Sequence, residues 1–152
     1  MVTLLVTGDP RSGSGRIEII KENFETEVCS QVQEYPLERS QAAEGLWKDG
    51  KLTICGGKDS SYQSKTHCYS LDNGEWKQTS DNLQIGRSSH AASNIGNNIW
   101  FTGGYNYGRL SSSEIMHPDG KITPGPDLPE ARNSHCQISH GQTTLIIGKY
   151  IF

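Results

Sequence analysis

The sequence predicts an all-β chain built from repeated four-stranded antiparallel units. Two observations carry that reading. Four short apolar runs each close on glycine, at Leu4–Gly8, Leu52–Gly56, Ile99–Gly103 and Thr144–Gly148, and these glycines lie 48, 47 and 45 residues apart. Arg39, Arg87 and Arg132 keep the same beat, spaced 48 and 45 apart, as do His90 and His135, 45 apart. A fixed period of this size is the mark of a repeat architecture rather than of a single continuous core.

Composition agrees. Only 33% of the 152 residues are hydrophobic and 17 are glycine, which is too apolar-poor for a large helical core and suits short strands and tight turns. No segment sustains a 3.6-residue apolar period with helix caps, so helix is minor at most. No apolar run approaches the roughly 18 residues of a membrane helix. The opening Met1–Gly8 has no basic start and reads as a strand rather than a signal peptide, so the expectation is a cytoplasmic protein with no membrane partner. A net charge of −3 gives no basic footprint for nucleic acid. Cys29, Cys55, Cys68 and Cys136 contain no C-x-x-C pair. Their even number permits disulfides without implying them, and the plainer expectation in an intracellular chain is free thiols.

Each unit is expected to hold four strands, a to d. The apolar run is strand b, and from the second run onward an Asp, Asn or Gly turn precedes it: Asp49-Gly50, Gly96-Asn97-Asn98 and His140-Gly141. Such residues supply the positive φ of two-residue hairpin loops, so each marks an a–b hairpin. A second hairpin joins c to d: Asp72-Asn73-Gly74 lies between Thr66–Leu71 and Glu75–Gln78, and Pro118-Asp119-Gly120 between Glu114–His117 and the segment from Lys121. The chain therefore divides into strands b–d of a first unit (1–41), whole units at 42–88 and 89–134, and strands a and b of a last one (135–152).

Four-stranded units at this period are the signature of propeller blades, and the residues resemble kelch repeats. The resemblance rests on the double glycines Gly56-Gly57 and Gly103-Gly104, on the strand Ser113–Asp119, on Trp76, and on Leu83 followed by Arg87-Ser88. The outer repeats depart from it: Asp9 and Lys149 stand where the second glycine belongs, and Val28 and Ile122 where tryptophan is usual. Propellers use 4–8 blades to close a ring, so about three blades predict an incomplete one. The expectation is a fragment whose unpaired edge strands promote self-association, unless the first and last strands complete a blade between them or a second copy supplies the missing arc.

Function is expected on the loops. Gly56, Gly57, Gly103 and Gly104 are read as scaffold, and Trp47, Trp76, Trp100, Tyr69 and Phe101 as packing between blades. The b–c and d–a loops open on one face. In kelch propellers that act as substrate receptors this rim holds the partner, and the resemblance places Arg39, Arg87, Arg132 and Tyr105 on contact positions. Ser88, Asn133, Tyr62, Asn106 and Arg109 fall in the same loops. Arg forks grip carboxylates, Ser and Asn add adaptable hydrogen bonds, and Tyr adds rigid area, so a protein or peptide partner of acidic character is expected. The competing reading is local pairing, Arg39 with Glu38 or Arg132 with Glu130. No enzyme, metal or cofactor is expected. His135 and Cys136 are adjacent and point to opposite faces of an alternating strand, and no other catalytic arrangement has a context. The alternatives are a fragment of a galactose-oxidase-like copper enzyme and a degenerate paralogue without function. The closest resemblance in kind is to the kelch halves of BTB-kelch proteins, which implies a substrate-recognition or actin-binding role within a larger chain.

Overall fold

The computed structural model describes residues 3–8, 15–20, 26–28 and 45–48 as strands, residues 33, 35 and 36, and the continuous stretch 51–148. The expected features at Asp9, Arg39, Asp49-Gly50 and Lys149, and the side chain of Trp47, lie outside the described residues.

The fold is all-β, with no helix among the described residues. β1 (Thr3–Gly8), β2 (Gly15–Ile20) and β3 (Thr26–Val28) form a three-stranded sheet in sequence order. β4 (Gly45–Lys48), β5 (Lys51–Cys55), β6 (Cys68–Asp72) and β7 (Glu75–Gln78) form a second sheet. β8 (Ala91–Ile95), β9 (Asn98–Thr102), β10 (Ser113–Met116) and β11 (Ile122–Pro124) form a third. β12 (Cys136–His140) pairs with β13 (Thr143–Ile147). Every pairing is antiparallel between strands adjacent in sequence.

The turns explain why strands this short pair so regularly. Asn73 (φ 51°) and Gly74 (φ 85°) both take positive φ at the β6–β7 hairpin, the requirement of a type I′ turn that matches strand twist. Gly96 (φ 56°) and Gly141 (φ 60°) make the same start to the β8–β9 and β12–β13 hairpins, 45 residues apart.

The core lies between the second and third sheets. Cys55, Cys68 and Leu83 meet Ala92, Ile99, Phe101, Met116 and Ile122, all essentially inaccessible. Burying each large apolar side chain contributes roughly 1.5–3 kcal/mol. Outside that core, Trp76 is buried edge-on against Tyr35 at 5.0 Å, and its indole N–H donates to the Gln33 carbonyl at 3.0 Å. Trp100 is half-exposed, with its indole N–H on Ser113 Oγ at 2.8 Å.

Backbone hydrogen bonds repeat with the sequence period. Gly57 N–H donates to the Arg87 carbonyl and Gly104 N–H to that of Arg132, both at 2.8 Å. Lys65 donates to Gly57 O and Leu110 to Gly104 O, both at 2.9 Å. Each double glycine thus ties the end of one sheet to the chain leading into the next.

One expectation is corrected. Cys55 and Cys68 are joined in a disulfide rather than free, because β5 and β6 place them directly opposite one another with Cα atoms 4.0 Å apart. Cys136 is a free, exposed thiol, and Cys29 lies outside the described residues.

Candidate loop-face site

Three loops interlock on one rim. Ser64, from the β5–β6 loop, donates its hydroxyl to the Tyr105 carbonyl at 2.7 Å, and Ser88 pairs with Tyr105 through two backbone hydrogen bonds of 2.8 and 3.2 Å. Tyr105 also bridges to Arg109 within its own β9–β10 loop. The Lys58 ammonium lies 5.4 Å from the centre of the Tyr105 ring, a cation–π distance.

Tyrosine dominates what this rim presents. Tyr62 is 62% exposed, Tyr105 39% and Tyr107 87%. Tyr62 (φ 61°) and Tyr107 (φ 54°) stand 45 residues apart, and both occupy the left-handed region. A bulky residue there costs of order 1–3 kcal/mol and persists only where the surroundings impose it. At Tyr62 the imposing element is Asp59. Its carboxylate accepts the N–H groups of Ser61 and Gln63 at 3.0 Å each and pairs with Lys65 at 2.5 Å, while its carbonyl accepts the Tyr62 N–H at 2.9 Å. The Lys65 bond, then the backbone donors, hold the Asp59 pKa below its ordinary value. At Tyr107 the turn closes through Asn106 N–H to the Gly108 carbonyl at 2.8 Å. Asn106 is half-buried and Arg109 exposed.

Arg87 and Ser88 do not belong to this surface, which corrects the sequence expectation. Arg87 is 0% exposed. Its guanidinium turns inward, donating to the Gly103 carbonyl at 2.7 Å, to the Ser112 carbonyl at 3.0 Å and to Glu114 at 2.6 Å. Ser88 is also 0% exposed and is consumed by its pairing with Tyr105. The Glu114 carboxylate is itself buried and accepts the N–H groups of Gln84 and Ile85 at 2.6 and 3.2 Å. The pair therefore clamps the loop leaving the second sheet onto the third. Arg132 is placed similarly but is less covered: its side chain is 23% exposed and reaches Glu130 at 3.4 Å, while the Nε of both arginines is buried without a hydrogen-bond partner. Asn133 is half-buried beside it. Arg39 lies outside the described residues.

The recurring histidines are packed beneath the rim. A Cβ on Gly56 would meet the His90 ring at 3.1 Å, and one on Gly103 the His135 ring at 2.9 Å. Burial, with Arg87 adding to it, pushes the His90 pKa down to about 3; burial and Arg132 push that of His135 down to about 4. Both rings are neutral near pH 7. Among the described residues no three His, Cys, Asp or Glu side chains converge in a way that could hold a metal ion.

Sequence reading missed Glu114, since a carboxylate in the run Ser-Glu-Ile-Met gives no sign of facing the core. It also gave Tyr107 no weight beyond its loop neighbours, although its position 45 residues after Tyr62 marks it.

No protein-family model matches this chain. A curated relative does. The chain is similar to spermatocyte protein spe-26 of Caenorhabditis elegans, 30% identical over 111 residues that make up 67% of this chain and 19% of that protein. The chain thus spans about a fifth of the length of that relative. No helix among the described residues is long and apolar enough to cross a membrane.

Proposed function

We propose that this chain is a segment of a kelch-type propeller that acts as a protein-interaction module, binding a partner protein or peptide through the rim built by the loops at 57–65 and 104–112. The observation that carries the reading is the pair of strongly exposed tyrosines, Tyr62 and Tyr107, held at positive φ in equivalent loops beside Tyr105. Rigid aromatic anchors of this kind give contact area at low entropic cost. Arg109 at the same rim favours acidic or hydroxyl-bearing side chains on the partner. The repeated hydrogen bonds of Gly57 and Gly104 support the propeller assignment, because stacked units require equivalent joints.

The reading has a direct test. Selection of displayed peptides on the unmodified chain should enrich acidic sequences, and Tyr62→Asn with Tyr107→Asn, which tolerate the left-handed backbone, should abolish their capture. Equal capture by the double variant would overturn the reading.

A further inference from the structure

The joints between adjacent sheets repeat in their histidines and differ in one pair of side chains. Thr102 and Ser113 stand directly opposite one another on β9 and β10, at the base of the loop that begins with Gly103-Gly104. Cys55 and Cys68 hold the equivalent places on β5 and β6, at the base of the loop that begins with Gly56-Gly57. His135 lies against Gly103, and its Nε2 is hydrogen-bonded to the Thr102 hydroxyl at 2.9 Å. His90 lies against Gly56 in the same way, so the equivalence sets its Nε2 on the side of Cys55. The Cys55 main chain is near enough to this ring to work against the lowering of its pKa by burial. Nδ1 is buried without a hydrogen-bond partner in both rings, so that atom does not distinguish them. Nε2 does: of the two rings, only that of His90 lacks a partner there. The Cys55 sulfur is bonded to Cys68 and has no S–H to offer it.

We propose that Cys55, Cys68 and His90 form a thiol–disulfide exchange site with two folded states, and that its redox state sets the mobility of the loop at 57–65. In the oxidised state the bond between residues 13 apart closes the base of the loop that carries Tyr62. In the reduced state Cys55 carries an S–H where Thr102 carries its hydroxyl, and donates it to His90 Nε2. A buried polar atom is costly to leave unpaired, so the imidazole favours the dithiol here as an apolar neighbour would not. The co-reactant is a low-molecular-weight thiol of the glutathione class. Its thiolate attacks one sulfur, the S–S bond breaks as a mixed disulfide forms, and the released sulfur takes a proton. A second thiolate attacks the mixed disulfide and frees the other protein sulfur, so two electrons and two protons pass to the pair as the oxidised co-reactant leaves. Both cysteines are wholly buried. Exchange therefore proceeds as the loop opens, against the hydrogen bonds from Gly56 N–H to the His67 carbonyl and from Lys65 N–H to the Gly57 carbonyl, each 2.9 Å. The site lies beneath the tyrosine rim, and its chemistry does not depend on what the rim binds.

The test is equilibration of the unmodified chain in buffers of graded reduced-to-oxidised glutathione ratio, quenched by alkylation and mapped by mass. Cys55 and Cys68 should convert together and reversibly, with a cooperative urea transition at both ends of the titration. Amide exchange at 57–65 should be faster in the dithiol chain and unchanged at 104–112, the equivalent loop with no disulfide at its base. His90→Leu removes the acceptor of the thiol and should move the equilibrium toward the disulfide roughly fivefold, the worth of one hydrogen bond. A pair that stays oxidised until the chain unfolds, loss of the cooperative transition on reduction, equal exchange at 57–65 in both states, or an equilibrium unmoved by His90→Leu would each overturn the proposal. If His90→Leu fails to fold, the infrared S–H stretch of the reduced, unmodified chain decides: a hydrogen-bonded band that Cys55→Ala lacks supports the contact, and no such band overturns it.

Discussion

Replacing Arg87 with Met tests whether the recurring arginine is a clamp or a contact residue. The guanidinium is wholly buried and donates to two carbonyls and to the Glu114 carboxylate, which is itself 2% exposed. Arg87→Met leaves that carboxylate with only the Gln84 and Ile85 N–H donors, and leaves Gly103 O and Ser112 O without the guanidinium. Breaking one side of a buried ion pair costs about 3–5 kcal/mol. At roughly 2–4 °C per kcal/mol for a chain of this size, the melting temperature should fall by about 10 °C. Arg87→Met combined with Glu114→Leu removes both charges, so the double variant should be more stable than Arg87→Met alone. Arg132→Met is the internal comparison: its pair with Glu130 is long and solvent-accessible, and such pairs contribute about 1 kcal/mol or less. Urea unfolding of the parent, Arg87→Met, Glu114→Leu and the double variant gives the cycle, with Arg132→Met measured beside it. A loss below about 1 kcal/mol for Arg87→Met, or strict additivity of the two substitutions, would refute the clamp.

The neutral histidines predict acid sensitivity. Above pH 6.5 neither folded nor unfolded chain protonates them, whereas below it the unfolded chain takes protons that His90 and His135 refuse down to pH of about 3 and 4. Stability should therefore fall as pH drops below 6.5, by about 2 kcal/mol per histidine at pH 5, and a flat urea midpoint between pH 7 and 5 would contradict this. Reducing the Cys55–Cys68 bond, which spans 13 residues, should cost about 3 kcal/mol; thermal unfolding with and without a phosphine reductant reads it, with Cys55→Ala/Cys68→Ala insensitive. Gly104→Ala places a Cβ 2.9 Å from Ser88 O and from His90 Cβ at φ 104°, so it should destabilise by more than about 1 kcal/mol. Gly108→Ala, with nothing within 4 Å, should stay within about 0.5 kcal/mol of the parent.

The strand and turn framework was legible because its signals are local. Asn73-Gly74 demands a tight hairpin whatever lies around it, and the run Ile99–Thr102 between Gly96-Asn97 and Gly103 can hardly be other than a buried strand. Side-chain direction in loops was not legible. Whether Arg87 faces water or core is decided by Glu114, 27 residues later, on a strand whose alternation places Ser113 and Ile115 on one side and Glu114 and Met116 on the other. Both sides carry one polar and one apolar residue, so the pattern does not say which is inward. The disulfide escaped for a related reason. The loop between β5 and β6 contains no short turn that fixes the register, and only the register sets Cys55 opposite Cys68.

Recurrence in a repeat chain therefore has two meanings that burial separates. Arg87, His90 and the double glycines recur because each joint between adjacent sheets needs them: the carbonyl of the arginine receives a glycine N–H, and the histidine ring packs where a Cβ would stand. Their period tells of stacking and nothing about partners. Tyr62 and Tyr107 recur with the same spacing, yet they hold an unfavourable backbone angle while exposing most of their surface. Under the proposed function the tyrosines, rather than the arginines that the period first singles out, form the binding rim.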